Sequence, residues 1–85
     1  MTYRKKFTIG RITVKVLSEI PTLIAWRAVS QIVRPYLNVE DGEFVEDTCA
    51  TIANEVKALD SNIDSVVVTI ESLSDTEQVV TEVAI

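Results

Sequence analysis

The chain contains no histidine and a single cysteine among its 85 residues. A lone Cys49 excludes an intrachain disulfide. One cysteine also excludes a four-cysteine zinc site, and without histidine there is neither a cysteine–histidine site nor an imidazole to activate the thiol as a nucleophile. Two glycines and two prolines leave little room for long loops, and neither an internal repeat nor a low-complexity tract appears. The longest unbroken apolar run, Leu23–Trp26, falls far short of the ~20 residues of a membrane helix. The opening residues through Lys6 are basic. The stretch "FTIGRITVKV" that follows alternates with polar residues and offers no apolar core of a secretory signal. A cytoplasmic protein with no membrane partner is the expectation, and the scarcity of cysteine agrees with it.

What the chain does have is apolar mass and divided charge. Apolar residues make up 47% of it, ample for one core and too rich for intrinsic disorder. A single α+β domain over residues 1–85 follows, close to the lower size limit for a self-sufficient core, so burial completed across a subunit boundary is a reasonable expectation. The net charge is −5, but residues 1–37 carry seven basic side chains against Glu19 alone. Residues 38–85 carry twelve acids against Lys57 alone, so the halves stand at +6 and −11. Such asymmetry bears on fields and association rather than on fold.

In "FTIGRITVKV", Phe7 and Ile9 alternate, and Ile12, Val14 and Val16 alternate in the opposite parity. A two-residue turn at Gly10-Arg11 puts Ile9 opposite Ile12 and Phe7 opposite Val14; a bulge in one long strand restores the phase equally well. The Gly-X pair favours the hairpin. A helix is predicted next, starting at Ser18 or Ile20 with Pro21 in its first turn. Leu23, Trp26, Val29, Ile32, Val33 and Tyr36 form its stripe, and Pro35 ends or kinks it around Val33-Arg34. "NVEDG", Asn38–Gly42, reads as a turn. A second helix carries Val45, Cys49, Ile52, Val56 and Leu59 as an apolar seam, with Glu43, Glu46 and Asp47 at its start, where acids complement the helix dipole. It stops at Asp60-Ser61-Asn62, with Asn62 able to turn left-handed. "SVVVTIES" is a strand. In the tail, Ser74-x-x-Glu77 matches a capping box, while Val79, Val80, Thr81, Val83 and Ile85 favour a strand paired back through Leu73–Glu77; the strand is preferred.

The resulting fold class is α+β: an antiparallel sheet in β-β-α-α-β-β order with two helices packed on one face. This element order, and the stretch "VEDTCATIANEVKALDSNIDSVVVTIE", resembles the repeat unit of the tunnelling-fold family, which includes pterin and purine enzymes such as dihydroneopterin aldolase. The resemblance covers about half the chain and is one of layout. It implies a ring-like oligomer with a small-molecule pocket at a subunit boundary, and it makes Glu71 the counterpart of the glutamate that anchors the pterin. The histidine ligands of the metal-dependent members have no counterpart here.

No catalytic, cofactor-binding or metal-ligating constellation emerges. Cys49 lies on an apolar seam and reads as an inert buried thiol. The acids from Glu40 to Asp47 cluster without the ligand spacing of a calcium loop, and Gly10 has none of the spacing of a phosphate loop. The candidate interaction residues are Lys6, Arg11 and Lys15 on a basic hairpin face, Trp26 and Tyr36 as aromatic anchors, and Glu43, Glu46 and Asp47. A basic hairpin can track phosphates, yet it serves equally as a charged face that protects a sheet edge. With the rest of the chain acidic, nucleic acid is not the favoured partner.

The leading expectation is therefore a non-enzymatic protein-binding or assembly module, a homo-oligomer whose partners include itself. The size and charge also suit an accessory protein of a phage or mobile element. Two alternatives stand beside it: a tunnelling-fold-like pterin or purine enzyme subunit, and an acidic inhibitor whose carboxylates imitate the phosphates of nucleic acid.

Overall fold

A computed structural model of the chain describes residues 2–38, 45–73 and 78–85. Strands β1 (Tyr3–Ile9) and β2 (Ile12–Ser18) form a hairpin joined by Gly10 and Arg11. Ile9 pairs with Ile12 and Phe7 with Val14, so the phase shift in "FTIGRITV" is a turn and not a bulge. Gly10 sits at φ +58°, a left-handed conformation that a residue without Cβ adopts at no steric cost.

Helix α1 spans Trp26–Val33 and continues into a 3-10 turn over Arg34–Tyr36, with Pro35 at its start. The predicted start at Ser18 or Ile20 is corrected: Ser18 ends β2, buried, and residues 21–25 are not helical. The Lys5 ammonium holds that segment, donating to the carbonyls of Thr22 at 2.7 Å and Ile24 at 3.3 Å. Carbonyls engaged in this way lie outside a helical ladder. Leu23 consequently leaves the expected stripe and stands 96% exposed, with Trp26 at 53%. Val29 and Val33 are the stripe residues that reach the core.

Helix α2 (Val45–Lys57) buries Val45, Cys49, Ile52, Ala53 and Val56, as its four-three spacing predicts. Leu59 falls beyond the helix and is exposed. The chain then turns on Asp60, whose carboxylate accepts the Asn62 N–H at 2.8 Å. Strands β3 (Ser65–Leu73) and β4 (Gln78–Ala84) complete the sheet. The tail is thus a strand, while the expected turn at Asn38–Gly42 lies mostly, and the capping box at Ser74–Glu77 wholly, outside the described residues.

The sheet is antiparallel throughout in the order β1-β2-β3-β4. Its covered face carries Phe7, Ile12, Val14, Val16, Val66, Val68 and Ile70 into one core with the helix seams. Burying each such side chain contributes about 1.5–3 kcal/mol. The helices run antiparallel to one another. Residue 37, just past α1, reaches the β1–β2 turn, where Leu37 Cδ2 would lie 3.2 Å from a Cβ on Gly10. At the other end, the chain leaving α2 meets the end of β2: the Asp64 N–H donates to the Leu17 carbonyl at 2.9 Å and the Glu19 N–H to Asp64 Oδ2 at 2.8 Å.

Candidate functional site

The strand period divides the sheet residues into a covered set and an open set. The open face carries Arg4, Lys6 and Thr8 on β1, Thr13, Lys15 and Leu17 on β2, Val67, Thr69 and Glu71 on β3, and Val80, Glu82 and Ala84 on β4. Lys6 and Lys15 are directly opposed, both exposed, and like charges so placed are mutually unfavourable. They line a shallow recess of about 390 Å³ with Arg4 and Leu17. Arg11 lies half-buried at the turn, where its carbonyl accepts the Glu71 N–H at 3.0 Å. Lys5, which shares the strand parity of Phe7, is withdrawn from this basic face, its ammonium spent on the 21–25 segment.

The face is graded in charge. Arg4, Lys6 and Lys15 occupy the β1–β2 half, and the exposed Glu71 and Glu82 the β3–β4 half. The two outer strands differ likewise: β1 contains Arg4, Lys5 and Lys6 and no acid, and β4 contains Glu82 and no base. Each pairs on one side only. Ile85 exchanges both backbone bonds with Val66 at 2.8 Å. By the alternation of an antiparallel ladder, the N–H groups of Val80, Glu82 and Ala84 then point to the free edge. The two-residue hairpin places those of Arg4, Lys6 and Thr8 at the opposite one.

The other predicted residues scatter over the helical layer. Trp26 is half-exposed at the start of α1 and borders a recess of about 260 Å³ with Arg27, Ser30, Gln31 and Arg34. Tyr36 packs against the core margin and borders the groove between α1 and α2, about 300 Å³, with Ile32, Pro35, Glu55 and Leu59. Glu46 and Asp47 are exposed in the first turn of α2; Glu43 lies outside the described residues. Lys6 and Lys15 are therefore brought together, and Trp26, Tyr36 and Glu46 are not. Sequence reasoning missed Arg27, Ser30 and Arg34. The signal was the i, i+3, i+7 spacing of two arginines and a serine, masked by the apolar stripe beside it.

Cys49 is fully buried, and its thiol faces the Thr81 carbonyl at 3.9 Å. Burial, and secondly the Glu46 carboxylate, raise its pKa above the ordinary thiol value, the opposite of what a nucleophile requires. Among the described residues no group of three or more Cys, Asp or Glu side chains could hold a metal ion, and no helix is long and apolar enough to cross a membrane. No family model matches the chain, and no curated protein matches it significantly.

Proposed function

We propose that this chain is a non-catalytic assembly module whose copies join edge to edge, β1 of one against β4 of the next. The observation that carries this reading is the pairing of two free sheet edges with opposite charge on one molecule. With four antiparallel strands, β1 and β4 run in opposite directions. A copy rotated about an axis along the strands therefore presents its β1 antiparallel to the free β4, and the sheet continues without a break. Pairing two β1 edges instead would set Arg4 and Lys6 against their own copies, which like-charge repulsion disfavours. The contact is heterologous and closes into a ring where the rotation allows.

The test is a proline at each edge. Proline removes a backbone N–H, and at Lys6 or Glu82 that N–H serves only the free edge. Wild type should run as a multimer in light scattering, weakened by salt. Lys6→Pro and Glu82→Pro should each be monomeric with an unchanged circular dichroism spectrum. A wild-type monomer at all concentrations contradicts the reading.

A second reading keeps the enzyme alternative, supported by the observed strand order with both helices between β2 and β3, the layout of the tunnelling fold. Glu71 is exposed on the open face. If it anchors a pterin or purine, Glu71→Gln abolishes binding and leaves the fold intact; titration of pterins and purines showing no wild-type binding removes this reading.

A further inference from the structure

The helical layer has two free flanks, and both lie at the edges where copies would join. On α1, Ala28 and Ile32 border the groove shared with Glu55 and Leu59 and so face α2. At about 100° per residue, Arg27, Ser30 and Arg34 fall on the opposite flank, toward β1, and they line one recess with Trp26 and Gln31. Among the described residues neither guanidinium makes a hydrogen bond or ion pair. The Ser30 hydroxyl is buried in a residue only 2% exposed and has no partner. Glu55 on α2 and Leu59 just beyond it face α1, while the Cys49 thiol faces the Thr81 carbonyl of β4. The flank of α2 away from α1 therefore carries Glu46, Ala50 and Lys57.

The spacings of the two layers match. Strands repeat at about 4.8 Å, so two strands span about 10 Å, close to the 8–10 Å between packed helices. α1 lies over β1 and α2 over β3 and β4. A sheet continued from β4 into the next β1 therefore brings α2 of one copy beside α1 of the next at packing distance. The helices run antiparallel, as within one copy, so the last turn of α1 comes level with the first turn of α2. Arg34 then meets Glu46.

We propose that α1 of one copy packs on α2 of the neighbouring copy through this seam, with Arg34 paired to Glu46 of the neighbour. The occupant of the α1 recess is thus a second copy of this chain. At the other end of the seam Arg27 and Lys57 come level, both long enough to turn outward to solvent. Between these ends Ala50 of the neighbour, a small residue that lets the two helices approach, comes level with Ser30. This inference rests on the edge-to-edge reading and adds to it a specific side-chain contact.

The test is a charge swap, with association measured by light scattering over a dilution series. Arg34→Glu alone and Glu46→Arg alone should each raise the dissociation concentration by about tenfold, as expected where a modest ion pair becomes a repulsion. The double variant should return to near the wild-type value. R34Q and E46Q lose the same contact without repulsion and keep the comparison readable if a reversal perturbs folding. Single variants that associate like wild type, or a double variant no better than the singles, overturn the seam while leaving the edge pairing intact. A wild type that never associates overturns the edge pairing itself.

Discussion

Gly10 and Cys49 show how single positions constrain this chain in opposite ways. At Gly10 the backbone is left-handed, and a Cβ there would approach Leu37 Cδ2 at 3.2 Å. Gly10→Ala should cost about 1–2 kcal/mol from the left-handed conformation, with the Leu37 contact adding to it. Gly10→Asn should cost less, because asparagine tolerates that region. Urea denaturation of the two variants checks the order. At Cys49 the constraint is chemical. Burial and Glu46 raise the thiol pKa in the folded state, so the folded chain holds this proton more tightly than the unfolded one. That contribution is complete below the ordinary thiol range, about pH 8.5. It is lost as pH rises through that range toward the raised folded value. The stability of wild type minus that of Cys49→Ala should be flat near neutrality and fall above about pH 8.5. A flat difference up to pH ~10 would show that the folded protein does not hold the thiol protonated.

Among the elements, the segment before α1 depends most on one side chain. Lys5 ties Thr22 and Ile24 to β1. Lys5→Met keeps the apolar stem and removes both hydrogen bonds, at a cost of about 1–2 kcal/mol for a partly buried charged donor. Hydrogen exchange should quicken over residues 20–28 and stay slow in β2 and β3; unchanged exchange there would mean the segment is held by packing alone. The same contact explains where the sequence misleads. Pro21, Leu23 and Trp26 mimic a helical first turn and stripe, and nothing local reveals that a lysine from another strand captures the carbonyls. The hairpin was legible because the parity change at Gly10-Arg11 is a local signal, and α2 because its seam is unbroken from Val45 to Val56. The opposed pair Lys6 and Lys15 followed from the hairpin register. The charged edges did not, since they depend on which strands end up outermost. Arg34 and Glu46 belong to different elements, and the proposed seam joins them only between molecules.

At the scale of the molecule, a chain divided into +6 and −11 halves folds so that the division survives as a gradient across the sheet. Basic β1 lies at one edge and β4, with Glu82, at the other. Within the sheet the halves meet at the β2–β3 ladder; a pairing of β1 with β4 would have neutralised the gradient, and the sequential strand order preserves it. The central claim is that the two edges recognise each other across copies, heterologously. The most direct measurement is the mass, by light scattering, of Lys6→Pro and Glu82→Pro mixed in equal amounts. The first variant keeps an intact β4 edge and the second an intact β1 edge, so together they have one good junction. Each should be a monomer alone, and the mixture should form a one-to-one dimer. A mixture that remains monomeric, or a single variant that assembles as well as wild type, would contradict it.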